Sequence, residues 1–141
     1  MTTIRPAAVA GSFYPADTAV LRRAVAVHLA QAQAPASGAE APAPKLLVAP
    51  HAGYVYSGDI AASAYARLLP LRGRITRVVL LGPTHRVAVH GVAVPTVAAF
   101  ETPLGRVDVD ATARAAIAGL PQVLASDRVH EQEHAIEVQL P

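Results

Sequence analysis

The sequence predicts an α/β fold, a mostly parallel sheet with flanking helices, on three observations. Two strongly apolar runs, Lys45-Leu46-Leu47-Val48-Ala49-Pro50-His51 and Arg77-Val78-Val79-Leu80-Leu81-Gly82-Pro83-Thr84-His85, each end in a proline closely followed by a histidine. Between them lies a helix-spaced segment of about the length a crossover needs. Hydrophobic residues make up 52% of the 141-residue chain against 16% charged, enough for one sizeable core and far from a disordered composition. Short apolar runs bounded by turn residues read as buried strands, and proline cannot continue a ladder, so each strand should stop where its histidine emerges. Joined by a right-handed crossover, the two strand ends would lie side by side at the carboxyl edge of the sheet, where open α/β sheets bind ligands.

The elements follow in order. Gly11-Ser12-Phe13-Tyr14-Pro15 is a turn-rich lead-in whose aromatics pack on the body. Asp17 or Thr18 can cap a first helix with Val20, Leu21, Ala24, Val25, His28 and Leu29 at helical spacing, His28 being a helix-face residue. Residues 31–44 are Ala/Pro-rich and of low complexity, which reads as an exposed loop before the first core strand. The central helix, Gly58 to Leu69, has small residues that permit close approach to a sheet. Beyond His85 the pattern gives a strand at 91–94, a loop carrying Glu101-Thr102-Pro103-Leu104-Gly105, a strand at 106–109, a helix at 111–118 capped by Asp110, and a last helix from Val129 to Leu140. The chain reads as a single domain over 1–141, without internal repeats.

Composition narrows the function classes. Net charge is +2, and the basic residues are scattered, with no run interleaved with aromatics, so nucleic-acid binding is not expected. No apolar stretch approaches the ~20 residues of a membrane span, and no leader pattern is present, which together point to a cytoplasmic protein. With no cysteine, thiolate ligands and cysteine nucleophiles are excluded from this chain. There is no GxGxxG, P-loop or GxSxG motif.

What remains is histidine chemistry. His51 and His85, on adjacent strand ends flanked by Gly and Pro, offer half of a metal site that needs a further donor. Tyr54, next to His51 in Ala52-Gly53-Tyr54-Val55-Tyr56, is a candidate substrate-contacting residue. A rival pattern, His130-Glu131-Gln132-Glu133-His134, satisfies the H-E-x-x-H signature of zinc peptidases. Only seven positions follow His134, leaving no room for the usual downstream third ligand.

Five blocks, taken together, carry a resemblance. Ala7 to Pro15, Ala49-Pro50-His51-Ala52-Gly53-Tyr54, Leu81-Gly82-Pro83-Thr84-His85, Thr102-Pro103-Leu104-Gly105 and Glu133-His134-Ala135-Ile136-Glu137-Val138-Gln139-Leu140-Pro141 resemble the Memo family, whose microbial members are called AmmeMemoRadiSam system protein B. The resemblance implies a fold similar to class III extradiol dioxygenases, with His51 and His85 as metal ligands and Glu133 and His134 near the cleft as catalytic candidates beside Tyr54. It implies a divalent or redox metal, iron first and copper or zinc as alternatives. The implied chemistry is non-haem, metal-linked redox or dioxygenase-like, beside a radical-SAM partner or another component of the same system. Family members are longer and carry further site residues in their C-terminal half, so the resemblance makes this chain an incomplete, N-terminal portion, inactive if it ends at Pro141. The alternative is a non-catalytic scaffold that holds a small molecule or peptide in the same cleft. Missing strands would leave an exposed apolar edge and an aggregation-prone chain.

Overall fold

A computed structural model describes residues 3–32 and 44–141. Most of the Ala/Pro-rich loop expected at 31–44 lies outside the described residues. The elements, in chain order, are β1 (Ile4–Arg5), α1 (Thr18–Gln31), α2 (Tyr54–Tyr65) with a 3-10 turn at Ala66–Leu71, β2 (Val92–Val94), β3 (Ala99–Thr102), β4 (Gly105–Asp108), α3 (Ala111–Ile117), β5 (Val123–Ala125), α4 (Asp127–Glu131) and a 3-10 turn at Glu137–Gln139.

The fold is mixed α/β, but its pairing differs from the expected single sheet. One sheet has the order β1-β3-β4, with β1 parallel and β4 antiparallel to β3, and the other pairs β2 with β5 in parallel. The runs 45–50 and 77–82, expected as the central parallel strands, form no ladder among the described residues. Each has protein against one side only. Leu47 and Leu80 are half-buried, whereas Leu46, Val48, Val79 and Leu81 are 77, 86, 78 and 80% exposed. A parallel strand is apolar on both faces because both are normally covered, and among the described residues one face of each run stays uncovered.

Helix α1 begins where its cap requires: Asp17 Oδ1 accepts from the N–H groups of Ala19 and Val20, both at 2.9 Å. Helix α2 starts at Tyr54, four residues before the expected Gly58, because the chain turns at Gly53 and Tyr54 N donates to Phe13 O at 2.8 Å. The two helices touch where α2 has no side chain. A Cβ on Gly58 would lie 2.7 Å from His28 Nε2, and His28 Nδ1 is 2.6 Å from Asp59 Oδ1. His28 is thus a clasp between helices, in line with its reading as a helix-face residue.

The last expected helix, 129–140, is broken. Helix α4 stops at Glu131, the backbone leaves helical geometry at Gln132, and only a short 3-10 turn follows at Glu137–Gln139. The cause is a buried polar knot. Glu137, fully buried, accepts from Arg5 Nη1, from Ala8 N at 2.9 Å, from Val9 N at 3.0 Å and from the Tyr14 hydroxyl at 2.5 Å. Arg5 in turn donates from Nη2 to the carbonyls of His130 and Glu133, both at 2.8 Å. These bonds capture the carbonyls at a helix end and fix a tight path for residues 130–137. Around the knot sits the core cluster of Val9, Tyr14, Leu21 and Val138, backed by Phe13, Val25 and Tyr54.

Candidate metal centre

Three irregular segments, rather than two strand ends, bring the site together. The chain just before α2 carries His51, the second apolar run ends in His85, and the broken segment after α4 carries His134. Each imidazole offers a nitrogen, and the three nitrogens all lie within 4.8 Å of one another. Ring centroids are 5.3 Å apart for His51 and His85, 5.8 Å for His51 and His134, and 4.4 Å for the stacked His85 and His134.

Each histidine has a visible anchor. Gln139 Nε2 donates to the carbonyl of Pro50 at 3.0 Å, and its own amide oxygen accepts from the Tyr65 hydroxyl at 2.7 Å, so the residue before His51 is fixed from α2 and the C-terminal turn. The His85 segment lies so close to 135–136 that a Cβ on Gly82 would meet Ala135 Cβ at 3.1 Å and Ile136 Cγ1 at 3.4 Å. That approach explains the glycine before Pro83. His134 packs on Phe13, centroid to centroid 4.4 Å, so the lead-in turn supplies an aromatic wall to the site.

Glu133 organises the cluster rather than joining the three nitrogens. Its Oε1 is 2.8 Å from His85 Nδ1 and accepts from His134 N at 2.9 Å and Ala135 N at 3.0 Å, while Oε2 accepts from His85 N at 2.5 Å. Burial alone would push its carboxyl up, but the His85 ring and the backbone donors of His85, Ala135 and His134 outweigh it and hold the group at about 2. An ionised carboxylate only accepts, so the proton in this bond sits on His85 Nδ1. Burial also lowers His134 below its ordinary 6.5, with His85, His51 and Arg86 adding to the effect against the pull of Glu133. A neutral imidazole is the ligand form.

The other candidate residues go elsewhere. His130 is buried, its Nε2 3.2 Å from the Ala93 carbonyl and its ring edge-on to Phe100, and it is not in the cluster. Because α4 ends between them, His130 and His134 do not share a helix face, and the zinc-peptidase pattern has no structural counterpart. Tyr54 directs its hydroxyl to the Val138 carbonyl at 3.1 Å and lines a cavity of about 230 Å³ between α1 and α2, with burial holding it up at about 12. Sequence reasoning passed over Arg5, Phe13, Glu137 and Gln139. For Glu137 and Gln139 periodicity offered no signal: alternating with Ile136, Val138 and Leu140, they read as outward-facing, whereas the structure buries Glu137 completely.

The donor set is all imidazole nitrogen, which suits iron, copper and zinc and disfavours magnesium or calcium. The three nitrogens, within 4.8 Å of one another, could hold one such ion, with His85 held by Glu133.

Comparison with known proteins covers nearly the whole chain. The family model described as Memo-like protein matches residues 5–141. A MEMO1 family protein of Sulfolobus acidocaldarius is 39% identical over 98% of this chain and 51% of its own length. Another from Aquifex aeolicus is 37% identical over 98% of this chain and 48% of its own length. The memo-1 homolog of Caenorhabditis elegans is 36% identical over 97% of this chain and 37% of its own length. The chain thus spans about half the length of these microbial relatives. No helix among the described residues is long and apolar enough to cross a membrane.

Proposed function

Because this chain belongs to the Memo-like protein family, we propose that it forms a redox-metal cleft in which His51, His85 and His134 hold the ion and Glu133 orients His85. The single observation that carries the reading is the convergence of three imidazole nitrogens within 4.8 Å on segments far apart in sequence. A carboxylate fixed behind one ligand supports it, because carboxylate–histidine pairs fix the tautomer of metal-bound imidazoles. The metal we assign is iron first, with copper or zinc as alternatives, and the chemistry is non-haem redox, dioxygenase-like in the full-length form. In that chemistry the metal supplies redox activation of a bound substrate. The chain's own residues bind and orient: Phe13 shields one face of His134, and Glu133 retains the Nδ1 proton of His85. The fold in this reading is the N-terminal portion of a class III extradiol dioxygenase-like domain, and the working partner is a radical-SAM protein of the same system.

A second reading, a non-catalytic scaffold for a small ligand, is favoured by the cavity between α1 and α2. It is mostly apolar, with Tyr54 and Tyr65 among its lining residues and Pro50 and Ala52, the neighbours of His51, in its wall. Metal analysis separates the two. Purified protein should retain about one equivalent of iron, copper or zinc, and His51→Ala, His85→Ala and His134→Ala should each lose most of it. Retention equal to wild type in all three variants would end the metal reading.

A further inference from the structure

Arg86 follows His85 directly and is exposed. Arg5, Arg77 and Arg106 have carboxylate partners in Glu137, Asp110 and Glu101, whereas Arg86 has no ion pair among the described residues. The surrounding sequence offers none, because no Asp or Glu lies between Asp59 and Glu101. The carboxylate at the histidine cluster is no candidate either. Glu133 is 5% exposed, and both its oxygens are taken by the His85 ring and by backbone N–H groups. Arg86 is charged at every pH the protein meets, and its charge reaches the cluster, being one of those that hold His134 below its ordinary value.

The cluster is open to small molecules. The His85 side chain is 38% exposed, and His51 and His134 are only partly buried. Three neutral imidazoles leave the charge of a divalent ion untouched; the single carboxylate behind them cancels half of it, and Arg86 restores that half. A site of this sign selects anions, and a planar guanidinium fork beside it selects an oxyanion with two oxygens in one plane. We propose, resting on the metal reading given above, that Arg86 is the anion-recognising residue of the histidine cluster. The ligand is a small organic acid whose carboxylate meets Arg86 while a neighbouring hydroxyl or carbonyl oxygen meets the ion held by His51, His85 and His134. Arg86 sets specificity and is not a metal ligand, so removing its charge leaves the donors of the ion in place.

The test titrates zinc-loaded wild-type protein, Arg86→Gln and Arg86→Lys with salicylate, a carboxylate with a hydroxyl on the adjacent carbon, and with salicylamide, its uncharged counterpart. Fluorescence of the two probes reads binding without interference from tryptophan, which the chain lacks. Zinc binding is measured separately by calorimetric titration. All three proteins should bind zinc alike to within about twofold, and wild type should prefer salicylate to salicylamide by at least about tenfold. Arg86→Gln should lose that preference, and Arg86→Lys should keep part of it, because the charge remains while the fork is lost. Metal-free wild type should bind salicylate at least about tenfold more weakly than the zinc-loaded form. Zinc-loaded wild type that takes the two probes equally or not at all, or Arg86→Gln with its preference intact, would overturn the role of Arg86 and leave the metal reading standing. Salicylate held as tightly without zinc would overturn it in favour of a surface ion pair. Failure of wild type to bind zinc would overturn the metal reading itself, and the role of Arg86 with it.

Discussion

Replacing Glu137 by glutamine keeps the shape of the buried knot and removes its charge. The amide oxygen can take only one of the two positions that the carboxylate fills. With the NH₂ group toward Arg5 and Ala8, two donors would face a donor. With it toward Val9 and Tyr14, the Tyr14 hydroxyl can rotate to accept, leaving the Val9 N–H orphaned and Arg5 without a counter-charge. The second arrangement costs less. An orphaned buried donor costs about 1–3 kcal/mol, and breaking a buried ion pair from one side costs about 3–5 kcal/mol in total. Arg5 keeps its two carbonyl acceptors, which argues for the lower half of that range. For a chain of this size that is a drop in Tm of roughly 10–15 °C. Urea and thermal unfolding followed by circular dichroism measure it, with Tyr14→Phe as the control that removes one donor and costs about 1 kcal/mol. A loss below about 1 kcal/mol in Glu137→Gln would refute the view that this knot fixes the 130–137 path.

Glu133→Gln should leave the fold intact but weaken metal binding about 10–100-fold, because His85 loses the acceptor that fixes its tautomer; calorimetric titration with zinc reads this, and an unchanged affinity would remove Glu133 from the site. Acid should destabilise the protein. Burial raises Glu137, but its hydrogen bonds from Tyr14, Val9, Ala8 and Arg5 bring it below the ordinary 4.5, so its stabilisation is full above pH 4.5 and is lost as pH falls through the folded value. Asp127, lowered first by the Thr96 hydroxyl, acts in the same direction, so a stability–pH curve that stays flat from pH 6 down to pH 3 would contradict both assignments. Gly58→Ala gains helix propensity, yet the new Cβ meets the His28 ring, so a net loss of about 1–2 kcal/mol is expected, and His28→Ala in the same chain should recover part of it. Additive effects of the two substitutions would show that the helices do not meet there.

Much of the site was legible because its residues announce themselves locally. Pro50-His51 and Pro83-Thr84-His85 mark chain turns that expose a histidine, and the resemblance to the Memo family singled out Glu133-His134. All three histidines do meet, although the resemblance implied a catalytic rather than a ligand position for His134. The Asp17 cap and the strands near 92–94 and 105–108 were likewise readable from short-range chemistry. The errors share one cause. Strand pairing at 45–50 and 77–82, and the continuous helix at 129–140, were inferred from hydrophobic periodicity, which specifies a face but not a neighbour. Whether a run pairs depends on what lies beside it, and whether a helix continues past Glu131 depends on Arg5, more than a hundred residues away. The two-residue strand β1, which carries that arginine, is too short to leave any periodic trace.

The knot around Glu137 also has a temporal meaning. Its bond to Arg5 closes a loop of 132 positions, so one end of the described chain must find the other before the Glu133-His134 segment can take its final shape. Contacts of that span form late, after local helices have already appeared, because the closure entropy must be met before the contact contributes. His134 is thus tied to a contact of high sequence separation, and a three-histidine cluster presupposes that the core around Glu137 has closed.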